Sequence, residues 1–149
     1  MEHDMLKKLK FEITVPTAYP FLTRFLRITK ASTLARHAAN YYTERTLQEH
    51  DMLNYAPSLV GCSAVYLALN NPDIVGRAEV AGWHPLLAQY AGYSREEVEK
   101  CAAKISKKVS EEPVTASKRQ LIAVKKKYSN EKYQFVSESY TNPSLTMNE

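Results

Sequence analysis

Side chains able to catalyse a reaction or to hold a metal are scattered along this sequence of 149 residues. None of its four histidines pairs with a cysteine or a carboxylate at the i, i+4 spacing of a metal site on a helix. His50 and Asp51 come nearest to a base with an orienting carboxylate, but adjacent positions of a helix do not face each other. P-loop, GxGxxG and GxSxG motifs are missing from the sequence. It therefore predicts a protein that is not an enzyme and that needs neither a cofactor nor a metal.

The charged residues have structural explanations. Glu96, Glu97 and Glu99 would lie in the first turn of a helix, where the positive end of the helix dipole favours carboxylates. The net charge is +4, a mild excess, and the clustered cations suit solvated helix faces and helix C-terminal ends. Few aromatic residues lie between these cations, so nucleic-acid binding is not favoured. The clustered cations are Lys104, Lys107, Lys108, Lys118, Arg119, Lys125, Lys126 and Lys127.

Two cysteines, Cys62 and Cys101, lie within apolar patterns and do not form a CxxC pair. Buried free thiols explain this placement better than a disulfide or a metal site does. We therefore expect a reducing, intracellular compartment.

The string YAPSLVGCSAVYLALNN, residues 55–71, contains no charged side chain, although 24% of the residues in the chain are charged. A helix that is apolar all round must be enclosed by protein or by lipid. Pro57 to Leu69 is too short for the roughly 20 apolar residues that span a bilayer, and residues 1–10 lack the apolar core of a signal peptide. The sequence therefore predicts a central buried helix and no membrane association.

Amphipathic helices are predicted before this segment. The string FEITVP predicts an extended break, because β-branched residues precede a proline that disfavours helix. Thr17 can then cap a helix, and Ser32 or Thr33 can cap a second helix over residues 33–48. The first of these helices has an apolar stripe at helical spacing, formed by Phe21, Leu22, Phe25 and Leu26.

After the central segment, residues 71–83 mix turn formers with one possible helical turn and are interpreted as a loop. Pro85 opens a short helix that Gly92 can end in a left-handed conformation. Ser94 and Glu97 form an S-x-x-E capping box at the start of a long helix. Its inward positions are Val98, Cys101, Ala102, Ile105 and Val109.

Pro113 separates this helix from a last one predicted near residues 115–128, with Leu121, Val124 and Tyr128 inward. No segment with the period of a strand competes with these helices. The predicted class is all-α, with amphipathic helices around a central apolar one, in a chain long enough to build one domain with its own core.

Four strings resemble consecutive segments of the C-terminal cyclin fold of A- and B-type (mitotic) cyclins. They cover about residues 2–137 and read LKFEITVPTAYPFLTRFLR, YYTERTLQEHDMLNYAPSLVGCSAVYLAL, LLAQYAGYSREEVEKCA and KKKYSNEKYQFVS. The resemblance implies a cyclin-like five-helix bundle around a central buried helix, with an extra C-terminal helix. It also implies that residues 1–10 are the end of a preceding N-terminal cyclin box, that 11–137 form the C-terminal cyclin domain and that 138–149 form a flexible tail.

The function that this resemblance implies is that of a regulatory subunit of a cyclin-dependent kinase in cell-cycle control, in the nucleus and cytoplasm. In such cyclins the first box grips the kinase, and nothing in this chain matches the gripping Lys and Glu or the substrate-docking patch of that box. We therefore expect that this chain alone does not activate a kinase.

A surface that packs on a first cyclin box would be exposed in the isolated chain as a contiguous apolar patch. We expect this patch at the first helix of the domain and its lead-in, around Phe11, Ile13, Tyr19 and Phe25.

Two other functions stay open at this point. One is a nucleic-acid-binding cyclin fold, as in general transcription factors, whose affinity for DNA would fall steeply with salt concentration. The other is an isolated helical protein-interaction module with no link to a kinase.

Overall fold

The computed structural model describes residues 1–76, 82–111 and 122–139. All regular structure in these residues is helical, which confirms the all-α prediction, and none of these helices is long and apolar enough to cross a bilayer. The α-helices are α1 (Glu2–Lys8), α2 (Ala18–Ile28), α3 (Thr33–Thr46), α4 (Pro57–Leu69), α5 (Pro72–Val75), α6 (Pro85–Ala91), α7 (Arg95–Ser110), α8 (Ala123–Tyr128) and α9 (Val136–Ser139); short 3-10 helices span His50–Asn54 and Glu131–Tyr133.

Helix α4 forms the centre of the bundle, as its lack of charged residues predicts. Ten of its thirteen residues are buried, and α2, α3 and α7 pack directly on it. Gly61 allows the closest approach, because a Cβ atom at this position would lie 3.0 Å from the backbone nitrogen of Leu22 and 3.1 Å from the carbonyl oxygen of Ala18. A small residue in α4 thus lets the backbone of α2 lie against it.

Helices α2 and α3 follow the predicted pattern closely. Leu22, Phe25 and Leu26 of α2 are buried, and Phe21 is half-buried beside them. The Ser32 hydroxyl accepts a hydrogen bond of 3.2 Å from the backbone N–H of Ala35, so Ser32 is the cap of α3.

The predicted end of α6 and the predicted start of α7 are both confirmed. Gly92 ends α6 in the left-handed conformation, at φ +72°. At the start of α7 the Ser94 hydroxyl accepts from the Glu97 N–H at 3.2 Å, and a Glu97 carboxylate oxygen accepts from the Ser94 N–H at 2.8 Å. Hydrogen bonds from the Ser94 backbone and side chain lower the pKa of Glu97. The capping box is therefore complete.

One predicted segment differs from the structure, and another is described only in part. Residues 72–75 of the predicted loop form α5, because Asn71 caps the Asp73 N–H at 3.0 Å and Pro72 occupies the first helical position. The helix predicted near residues 115–128 is present as α8 from Ala123 to Tyr128, and the predictions for Pro113 and Leu121 lie outside the described residues.

A buried arginine links α3 to the end of α7. One terminal nitrogen of Arg45 donates to the carbonyl oxygens of Lys108, at 2.8 Å, and Glu111, at 3.1 Å. The other donates to Gln48 and Glu49, each at 3.1 Å. Arg45 thus satisfies carbonyl groups that the end of a helix leaves unpaired, a role that the spacing of residues in the sequence does not reveal.

Candidate partner-binding surface

The surface begins with α1, which has no buried residue. Behind it Lys10 and Phe11 both adopt left-handed backbone conformations, with φ of 50° and 58°. The Phe11 N–H donates to the Leu6 carbonyl at 2.9 Å, and the Lys10 N–H donates to the Lys7 carbonyl at 3.0 Å. This pair of bonds is a Schellman motif. Because a lysine occupies the position that usually holds glycine, the residue type does not signal this turn.

The lead-in between α1 and α2 carries exposed apolar side chains. Phe11, Ile13 and Tyr19 are each 60% exposed, and Val15 is 70% exposed. Three of the four residues that we expected to be exposed are therefore exposed. Val15 shares this property and was not predicted; alternation of Phe11, Ile13 and Val15 along the chain is the signal that could have found it.

Phe25 is the exception among the four. It is only 3% exposed and belongs to the hydrophobic core. Its spacing from Leu22 and Leu26 puts it on the face of α2 that packs against α4. The expectation that Phe25 is exposed is therefore wrong, because the apolar stripe of α2 packs inside the domain itself.

Exposed apolar residues concentrate at this end of the chain. Of thirteen exposed large hydrophobic side chains among the described residues, seven lie within the first 19 positions. Leu47 and Leu53, at the corner between α3 and α4, are also highly exposed, at 79% and 76%, and provide a second site for comparison. We call Phe11, Ile13, Val15 and Tyr19 the lead-in surface.

The histidines are dispersed by the fold, and the described residues contain no group of three or more metal-ligating side chains. His84 caps α6 by accepting from the Leu86 N–H at 3.2 Å. His37 lies edge-on to Tyr133, and burial lowers its pKa. Asp51 binds the Lys104 ammonium at 2.6 Å, and this hydrogen bond lowers the Asp51 pKa. The carboxylate that follows His50 is thus engaged in an ion pair.

The two thiols are buried and free, as predicted. Burial raises the pKa of Cys62 to about 12 and also raises that of Cys101. Both thiols are therefore protonated at neutral pH, and neither is activated as a nucleophile.

The carboxylate of Glu99 also has a structural partner. It accepts hydrogen bonds from the Tyr66 hydroxyl at 2.9 Å and from Arg95 at 2.7 Å. The bond from Arg95 lowers the pKa of Glu99, while burial raises the pKa of Tyr66 to about 12. This contact ties α7 to the end of α4.

Comparison with known proteins identifies the bundle. The family model described as "Cyclin, C-terminal domain" matches residues 16–142. The chain belongs to the cyclin C-terminal domain family. The resemblance to a C-terminal cyclin fold is thereby confirmed, and the helices around α4 are those of a cyclin domain.

Relatives of this cyclin domain include A- and B-type cyclins. The chain is 36% identical to Cyclin-A1-1 of Oryza sativa subsp. japonica, over 97% of this chain and 28% of that protein. It is 37% identical to Cyclin-A1-1 of Arabidopsis thaliana, over 94% and 30%. Identity to the G2/mitotic-specific cyclin-B3 of Gallus gallus is 32%, over 87% and 30%. The chain spans about three-tenths of the length of these relatives.

Proposed function

We propose that this cyclin domain is part of a non-catalytic regulatory subunit of a cyclin-dependent kinase and acts in cell-cycle control. The family match over residues 16–142 carries the proposal. The A- and B-type relatives favour it over a nucleic-acid-binding domain or an isolated interaction module. Action in the nucleus and cytoplasm is part of the proposal and is supported by the family alone.

We further propose that the lead-in surface packs on an N-terminal cyclin box, which makes the contact with the kinase. Phe11, Ile13 and Tyr19 support this role because they are exposed, apolar and close together in the sequence. Burying them against a partner removes apolar area from water, which is the main driving force of association. The expected boundaries at residues 10 and 137 stay predictions; α9 extends to Ser139, inside the expected tail.

The first experiment mixes the purified chain with a monomeric cyclin-dependent kinase and measures phosphorylation of histone. We expect activity no higher than that of the kinase alone, because the proposal assigns the kinase contact to another box. Robust phosphorylation in this mixture would contradict that part of the proposal.

The second experiment replaces the matching region of rice Cyclin-A1-1 with this chain and measures activation of the same kinase. We expect the chimera to activate the kinase. The double variant Phe11→Ser, Ile13→Ser should lower activation at least about tenfold, since each residue loses roughly 1.5–3 kcal/mol of apolar burial.

Leu47→Ser with Leu53→Ser is the matched control, because these leucines are at least as exposed and lie outside the lead-in. Equal loss of activation in both double variants would show that the lead-in surface has no special role. An inactive chimera that is folded by circular dichroism would argue against the kinase-regulating function itself.

A further inference from the structure

The C-terminal segment, residues 122–139, contains α8, the second 3-10 helix and α9. Its two α-helices pack mainly on α3 and on each other. Only Tyr128, Val136 and Ser137 are buried in it, whereas α4 has ten buried residues. Regions with few buried contacts open at lower free energy than the core.

One carboxylate of α3 binds two side chains of this segment. A single Glu44 oxygen accepts from the Lys127 ammonium at 2.6 Å and from the Tyr128 hydroxyl at 2.7 Å. Aromatic contacts add to it: the Tyr128 ring lies 5.4 Å from that of Tyr41, and the Tyr133 ring lies 5.5 Å from that of His37. A single α3 side chain thus binds two neighbouring residues of α8.

The segment also has contacts that hold it together internally. The Ser137 hydroxyl donates to the Lys125 carbonyl at 2.8 Å, which joins α9 to α8. The Tyr128 and Tyr133 rings lie 4.7 Å apart. Between these helices Gln134 and Phe135 both adopt left-handed conformations, at φ 56° and 53°. Both partners of the hydrogen bond and of the ring pair belong to the segment itself.

We infer that the C-terminal segment detaches from α3 as one unit while the bundle around α4 stays folded, and that Glu44 keeps it closed. Opening uncovers the ring of Tyr41 and the side of His37 that faces Tyr133. The fold thus contains a switch whose closed state depends on one carboxylate.

Hydrogen exchange of the full chain, followed by mass spectrometry at neutral pH, tests this inference. In the wild type, amides of residues 122–139 should exchange faster than those of α4 and α7. Glu44→Gln should accelerate exchange of the segment by about tenfold, since it weakens two hydrogen bonds to a charged group. Lys127→Met should accelerate it by up to about fivefold, since an exposed ion pair contributes less. Exchange in α4 and α7 should stay unchanged.

Lys126→Met is the matched control, because this neighbouring lysine is exposed and forms no ion pair with the described residues. Equal acceleration in the segment and in α4 would overturn separate opening, since it would indicate unfolding of the whole domain. If Glu44→Gln leaves exchange unchanged, or if Lys127→Met has no more effect than Lys126→Met, Glu44 does not hold the segment closed.

Discussion

Helices α4 and α1 differ in whether their apolar residues are buried. In α4 ten of thirteen residues are buried, and no side chain is charged. In α1 none of seven residues is buried, although Met5 and the following Leu9 are apolar and about half exposed. The same residue types thus stabilise the domain in one helix and face solvent in the other.

This difference distinguishes residues that stabilise the fold from residues that are available to bind a partner. The apolar residues of α4 contribute to the stability of the isolated domain because α2, α3 and α7 enclose them. Those of α1 and the lead-in surface contribute only when something covers them. Substitutions in the two regions should therefore affect different measurements, and three predictions examine this separation.

The largest effect is expected from a matched pair of leucine substitutions. Leu67→Ala should lower the free energy of unfolding by about 2–5 kcal/mol, because Leu67 is fully enclosed and leaves a cavity. Leu9→Ala should change it by less than about 0.5 kcal/mol, as exposed sites do. Urea unfolding followed by circular dichroism at 222 nm measures both. A similar loss in both variants would show that the C-terminal end of α1 is packed in solution.

A second substitution tests the close approach of α2 to α4. Gly61→Val should destabilise the domain by about 2 kcal/mol, since its side chain would push into the backbone at Ala18 and Leu22. Lys7→Val, in the uncovered α1, is the control and should have little effect. Thermal unfolding compares the two. Unchanged stability of Gly61→Val would mean that α2 moves away without cost.

The smallest effect concerns the burial of the Cys62 thiol in α4. Because the Cys62 pKa is raised from 9.0 to about 12, the unfolded state loses this proton first, so stability falls as pH rises through that window. By pH 9 the loss should be about 0.4 kcal/mol from this thiol. Urea unfolding at pH 7, 8 and 9 measures the fall, which Cys62→Ala should reduce. The same fall in Cys62→Ala would show that other groups cause it.

Local signals predicted the parts of the fold that depend on a few neighbouring residues. Ser94 and Glu97 form their capping box within a single turn, and Gly92 ends α6 by its own conformation. By contrast, Lys10 and Lys30 adopt left-handed conformations that lysine does not signal. The bonds that close their helices, and not the residue type, place them there.

The candidate site was predicted only in part, for a similar reason. Phe11, Ile13 and Tyr19 are apolar residues that the structure leaves exposed, while Phe25 has the same character and is buried. Nothing in the residue types distinguishes these two outcomes. The choice depends on the neighbouring helix, and α4 covers the face of α2 that contains Phe25.

The sequence by itself determined that residues 57–69 form a buried helix, since a segment without charge has no favourable surface to show to water. It also determined the class, the capping box of α7 and the family, and it narrowed the cap of α3 to Ser32 or Thr33. Only the tertiary structure decided that Arg45 holds the end of α7 and that Glu44 holds the C-terminal segment. These contacts join residues more than sixty positions apart, and no local pattern encodes which distant groups a folded chain brings together.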